Sequence, residues 1–444
     1  ADWWNDTAPT TSVFTVGTDH AVNANGESYV AYLFADNSSE DAADQMIKCG
    51  SYTGNSTVGN SVDVGFEPQF VMFKNVDKTQ SWYMFDTIRG IATGENDKLL
   101  YPDQNSEEID ASDILDVTPT GFNLKRADSE FVNLNGDNYI YMAIRRPNMA
   151  TITDATKVFA VAARAGASGN LGAYRSGFPV DMAFHKVITN SSNPYEIGSR
   201  LVQGKSMNTT DNTVEATQSD QQYDFMDGWN NEASSSSTKY AWMWKRAKGY
   251  FDVVAYTGTG DVRTVAHGLG VTPEMMWIKD RGRTKNWAVY HSALGNTKIA
   301  NLNGQSEGSV AENAWNNTSP TDSVFTVKTA GTVNTSGQNY IAYLFATLAG
   351  VSKVGSVSHS GSSTDVDCGF SSGSRFVLLK RTDTQGDWYF WDGTRGIIAG
   401  NDPYLLLNET DANVTNTDLI DPLASGFQIS DDFTDGTYLF YAIA

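Results

Sequence analysis

The sequence predicts an all-β protein built as a tandem array of small antiparallel β-sandwich modules. Two observations carry that expectation. Runs of four to eight residues rich in Val, Phe, Tyr, Trp and Thr alternate with clusters of Gly, Asn, Asp and Ser, the signature of short strands joined by tight turns. The same strand-and-turn segments also recur along the chain, so each repeat has to be a folding unit of its own. Sustained 3.6-residue periodicity is hard to find. The best helical stretch, Asp154 to Ala165, reads equally well as an opening strand.

The repeats set the order of the modules. Trp4-Asn5-Asp6-Thr7-Ala8-Pro9-Thr10 returns as Trp315-Asn316-Asn317-Thr318-Ser319-Pro320-Thr321. The match runs without a gap to Ala35 and Ala346, with roughly 20 of about 32 positions identical. A second pair joins Phe70–Lys74 to Phe376–Lys380, Trp82–Gly90 to Trp388–Gly396, and Thr120–Leu124 to Ser425–Ile429. Each copy ends on a Tyr-led apolar strand, at Tyr29, Tyr139, Tyr340 and Tyr438, preceded by a turn containing Gly. Asn25-Gly26 and Asn135-Gly136 are turn dipeptides that tolerate the positive φ of tight hairpins. Tyr240-Ala241-Trp242-Met243-Trp244 is a fifth, weaker ending without the glycine.

The expected organisation is therefore an A-type second half (1–35), a B-type module (44–147), a divergent C-type module (150–247), a complete A-type module (248–347) and a second B-type module (351–444). Length alone predicts about three domains; the repeats change that to four and a half smaller ones. Residues 1–35 match only the back half of an A-type module. Missing upstream sequence is the expected reason, and pairing with another chain is the alternative. The start, Ala1-Asp2-Trp3-Trp4, has no initiator Met and no signal-peptide pattern, which predicts a processed or partial product.

Composition limits the function. The chain has 444 residues, with 31 Lys+Arg against 52 Asp+Glu, a formal charge of −21. That balance argues against nucleic acid, whose phosphates need concentrated cations, and against an anionic membrane surface. No apolar run approaches the roughly 20 residues needed to span a bilayer, so membrane insertion is not expected. Only 19% of residues are charged while 12% are aromatic, which predicts packed cores under a polar, uncharged surface.

The most distinctive motif is W-Y-x-[FW]-D-x-x-R-G. Trp82, Asp86 and Arg89 carry it once, and Trp388, Asp392 and Arg395 carry it again. It reads as a structural Asp–Arg turn lock, or as a sugar site with an aromatic platform beside a carboxylate and a guanidinium. Along the strand, Trp82 and Met84 face one way and Tyr83 and Phe85 the other. Trp4-Asn5 and Trp315-Asn316 form a second candidate pair, either glycan contacts or a core edge with turn chemistry.

The five histidines, His20, His185, His267, His291 and His359, are scattered, with no metal-ligand spacing and no Ser-His-Asp set. No catalytic residue and no cofactor are assigned. Acidic runs at Glu107-Glu108-Ile109-Asp110 and Asp431-Asp432 leave calcium open without a specific motif. Cys49 and Cys368 each align with a valine in the sister module, so they read as small buried hydrophobes in different modules, with no disulfide between them. The Asn-x-Ser/Thr triplets at Asn37, Asn55, Asn190 and Asn208 are attributed to the Asn- and Ser-rich surface rather than to glycosylation.

His267-Gly268-Leu269-Gly270-Val271-Thr272-Pro273-Glu274-Met275, Asn286–His291, Trp315–Thr318 and Tyr340–Phe345 resemble repeat modules of bacteriophage tail-fibre-like proteins of marine and cyanobacterial phages. Trp82–Gly90 and Tyr139–Pro147 look like the companion repeats of the same proteins. The resemblance covers nearly the whole chain except about 150–247, where the Ser234–Ser237 loop and an Asn-, Thr- and Gln-rich insertion depart from it. It implies jelly-roll or lectin-like sandwiches in a virion appendage at the particle surface. The partners it implies are other virion proteins, further copies of the chain in a homo-oligomer, and host-surface glycans. It supplies no catalytic or sugar-binding residues. The expected function is host attachment by many weak glycan contacts. The alternatives are a purely architectural fibre or capsid-decoration role, and a polysaccharide depolymerase with its cleft in 150–247.

Overall fold

The computed structural model describes residues 3–36, 45–94, 96–110, 112–127, 131–146, 152–165, 172–218, 220–230 and 239–444. Several expectations fall outside these residues: the module boundaries at 44, 147 and 150, the Asn37 triplet and the Ser234–Ser237 loop. The chain is nearly all β, with 39% strand, almost no helix and several small antiparallel sheets. Of the Asp154–Ala165 stretch, only Ala155–Lys157 forms a 3₁₀ turn; Phe159–Ala163 is the opening strand.

One sheet plan recurs four times. The first strand of each module pairs with its last, and the last pairs with a central strand. In B1, the first B-type module, Ile47–Thr53 lies beside Asn138–Arg145 and then Pro68–Asn75. In C, Phe159–Ala163 lies beside Lys239–Trp244 and then Met182–Val187. In A, Phe251–Thr257 lies beside Asn339–Phe345 and then Met275–Asp280. In B2, the second B-type module, Ser352–His359 lies beside Gly436–Ile443 and then Phe376–Arg381. A smaller second sheet covers one face in B1, A and B2, for example Thr364–Asp367, Gly426–Ile429 and Ile420–Leu423 in B2. In C that layer is irregular and built on Tyr174, Tyr223 and Trp229.

Side chains alternate across a strand, so each main sheet has a second face to cover. In C, A and B2 these faces meet one another. In B2, Val377, Leu379 and Trp391 pack under its own small sheet, while Phe376, Leu378, Trp388, Phe390 and Tyr441 belong to a core shared between modules. Ring contacts cross the seams: Trp242 to Phe390 at 5.1 Å, Phe159 to Phe376 at 5.4 Å and Phe345 to Tyr441 at 5.0 Å. The tandem modules are thus not independent of one another: three of them close around a common apolar centre.

A lysine at the same strand position marks each seam of this closure. Lys186, Lys279 and Lys380 pair across the sheet with Tyr240, Ile341 and Leu439. Lys186 Nζ of C donates to the Thr410 carbonyl of B2 at 2.7 Å, and Lys380 of B2 to the Gln305 carbonyl of A at 2.9 Å. Lys279 of A donates to the Asn212 carbonyl of C at 3.5 Å and closes the ring. The three acceptors are equivalent, each lying three residues beyond Thr209, Leu302 or Leu407, whose N–H bonds the carbonyl of Tyr195, Trp287 or Trp388. Burial pushes all three ammonium groups down to about 8. The carbonyls they meet supply hydrogen bonds that the apolar centre cannot.

B1 docks on the outside of this ring. Arg246 makes a bidentate pair with Glu67 at 2.7 Å and also holds Asp252. Arg146 and Arg200 converge on Asp181 at 3.0 and 3.4 Å. Burial pushes Asp181 up, but Arg146, Arg200 and Arg246 outweigh it and hold the carboxyl below its ordinary range. Three guanidiniums thus face three carboxylates at the junction of B1, C and A. Residues 3–36 form no strand; they hold only a four-residue helix, His20–Asn23, capped by Asp19.

Candidate functional site

The two copies of W-Y-x-[FW]-D-x-x-R-G build the same turn. Asp86 Oδ1 accepts from the N–H groups of Ile88 and Arg89, and Arg89 Nε pairs with Asp86 Oδ2. Asp392 does the same for Thr394, Arg395 and the Arg395 guanidinium. The Asp–Arg lock is therefore structural in both. Its surroundings differ. Asp392 and Trp388 are fully buried, and Asp392 Oδ2 also accepts from the Trp242 indole of the neighbouring module at 3.0 Å. Trp388 sends its own indole N–H to the Asn301 carbonyl of A at 2.9 Å. Arg395, also buried, lies over the Trp242 ring. Trp388, Asp392 and Arg395 are thus seam residues, and none of them is a surface platform for a sugar. Trp82, Asp86 and Arg89 stay half-buried at the surface of B1.

The Trp-Asn pair divides in the same way. Trp315 is 1% exposed and its indole donates to the Lys298 carbonyl, so it is core, whereas Trp4 is 54% exposed. Asn5 and Asn316 serve the backbone. Each adopts positive φ (52° and 55°), as does the next residue, and a threonine hydroxyl bonds back to its carbonyl. Asn tolerates that left-handed conformation better than most residues. The turn reading explains the motif without a ligand.

The sharper ligand-sized feature is a solvent-open groove at the seam of A and B2, about 280 Å³ in volume, which the motif reading missed. Gln305 comes from A; Arg381, Gln385, Asp387, Tyr389 and Tyr438 come from B2. Gln305 Nε2 donates to Asp387 Oδ1 at 2.8 Å, and the Gly386 N–H donates to the Gln305 carbonyl, so the seam itself positions this wall. Arg381 forks onto Asp383 at 2.8 and 3.1 Å, and that bond holds the Asp383 carboxyl down at about 2. Tyr389 stacks on Trp391 and meets Phe433 edge-on, which fixes its ring. Burial pushes the Tyr438 hydroxyl up to about 12, so it stays a neutral donor to the Thr434 carbonyl. Tyr389 is the second residue of the W-Y motif. Strand alternation placed it opposite Trp388, and that was the signal available in the sequence.

Of the acidic runs, Glu108 reaches Arg89 and Asp110 pairs with Lys98. Among the described residues, no three His, Cys, Asp or Glu side chains group as a metal site. Cys368 is buried and Cys49 half-buried, both as free thiols. His291 is buried, and desolvation pushes it down to about 4. His359 bridges Thr364 and the Phe433 carbonyl.

Fold and seams together define a multi-module β-sandwich assembly with a polar groove between two of its modules. The chain belongs to the family described as a domain of unknown function, DUF7483, whose model matches residues 1–147 and 154–444. No curated protein matches the chain.

Proposed function

We propose that the protein is a structural and adhesive component of a bacteriophage virion appendage, holding host-surface glycans weakly at repeated sites. The groove between A and B2 is the observation that carries this reading. Tyr389 offers a fixed aromatic ring, while Arg381, Gln305, Gln385 and Asp387 offer donors and acceptors suited to hydroxyl pairs. A single open groove that encloses only part of a ligand binds it weakly, and many copies on one particle multiply the hold. The phage setting rests on the resemblance of the repeat motifs.

The test is a glycan array with divalent cations present, run beside a reducing-sugar release assay. Binding without release, weakened several-fold in Tyr389→Ala and Arg381→Ala proteins that keep the native melting profile, supports adhesion. Sugar release would make the protein a depolymerase. Silence in both assays favours the second reading, a purely architectural part, for which the shared core and the buried Arg–carboxylate junction are the supporting observations.

A further inference from the structure

Residues 3–36 and one face of B1 are bare where their sister copies are covered. In the complete A module, Phe325, Tyr340 and Leu344 pack in its own core and Tyr343 and Phe345 face the shared centre, all of them buried. Their equivalents Phe14, Tyr29, Leu33, Tyr32 and Phe34 are exposed, Tyr32 by 82% and Leu33 by 76%. Local geometry is nevertheless kept. The Tyr29 hydroxyl donates to the His20 carbonyl and accepts from the Ala24 N–H, as Tyr340 does with Gly331 and Thr335. This half-module is shaped for a partner and forms a wide apolar trough of about 610 Å³.

B1 supplies an independent observation. Its face equivalent to the buried one of B2 consists of Phe70, Met72, Trp82, Met84, Met142 and Ile144, all half-buried, with Ile140 exposed. In B2 this face is closed by the front half of A, through the Asn301 and Gln305 carbonyls to Trp388 and Lys380. In B1 the corresponding Lys74 donates only to carbonyls of its own module, Asn75 and Gln80, among the described residues. Both bare surfaces thus lack the same piece. The front half of an A-type module would pair with residues 28–34 as Phe251–Thr257 and Met275–Asp280 pair with Asn339–Phe345, and would lay its Asn301–Gln305 loop on Trp82 and Lys74.

We infer that the bare faces of residues 3–36 and of B1 form one docking surface, and that its occupant is a β-half-module with the strand chemistry of residues 249–313. Bound, it completes a second A-type sandwich and seats it on B1 as A sits on B2.

Tryptophan exposure reads this directly. Of the 11 tryptophans, Trp3 and Trp4 in residues 3–36 are exposed and Trp82 on the B1 face is half-buried, and the other eight are buried. Residues 249–313 are fused directly to Trp3 of the full chain, because Trp3 aligns with Ala314. Acrylamide quenching and size-exclusion light scattering compare this protein with the unfused chain. The expected result is a monomer in which the quencher-accessible fluorescence falls at least about two-fold. A fusion carrying Val254→Asp and Ile278→Asp in the added segment only keeps the high accessibility. Unchanged quenching in the first fusion overturns the inference, as does equal protection in the second. Self-association of the unfused chain with its tryptophans already protected overturns it too, by making a second copy the occupant.

Discussion

B1 and B2 carry the same strand motif on the same sheet plan, yet Trp82 lies half-buried at a surface and Trp388 lies in a core. The Asp–Arg turn is identical in both, because Asp at i accepting from i+2 and i+3 needs only local chain. The difference begins at the outer face of the sheet. In B2 that face is covered by A and C; in B1 it is open. A repeated motif therefore guarantees a repeated turn and strand, while the environment of each side chain depends on what the next module covers.

Paired substitutions can break or sharpen this comparison. Trp388→Ala should cost about 3–5 kcal/mol by opening a cavity at the A–B2 seam, and Trp82→Ala well under half of that, both read from denaturant midpoints. Equal costs would mean that the face of B1 is covered in solution. Asp392→Asn should come next. It leaves the buried Arg395 without its counter-charge, an effect of roughly 3 kcal/mol, whereas Asp86→Asn at the partly exposed pair should cost about 1 kcal/mol or less.

Lys380→Met should cost about 1–3 kcal/mol, because the Gly386 carbonyl loses its side-chain donor and the Gln305 carbonyl keeps only the Gly386 N–H, and the Lys380 side chain is itself buried; Lys74→Met should cost less, since water reaches that face. A double substitution of Lys380→Met with Trp388→Ala should fall short of additivity, because both residues join the same seam.

The last expected effect is on pH dependence. Burial pushes Asp97 of B1 up to about 8 and Asp402 of B2 up to about 7, both from the usual 3.8. Each native carboxyl then holds a proton that the unfolded chain has released, so the contribution of these two groups is fullest below pH 4 and is lost as pH rises toward 7 to 8. The buried His291, held down at about 4, acts in the opposite sense below about pH 6.5, and the buried seam lysines act in the opposite sense above about 8. Melting curves between pH 6.5 and 8, above the range in which the buried His291 opposes the trend, should therefore show falling Tm, with the upper part of the slope flattened in Asp97→Asn. A flat wild-type profile would overturn the assignment.

The all-β class, the repeat order and the Asp–Arg turn reading were legible in the residues alone. Each of these rests on contacts within a few residues or on alternation along a strand, and such information is written locally. It also placed Tyr389 and Trp388 on opposite faces of their strand. It did not determine which face is solvent. Trp388, Asp392 and Arg395 looked like a sugar platform because aromatic, carboxylate and guanidinium groups together suit both a ligand and a buried seam. Only the tertiary structure decided between the two, by closing C, A and B2 around one core. That closure depends on carbonyls at Asn212, Gln305 and Thr410, and a backbone carbonyl leaves no trace in residue identity. The groove beside Tyr389 is likewise a product of two modules meeting, so no single repeat could have announced it.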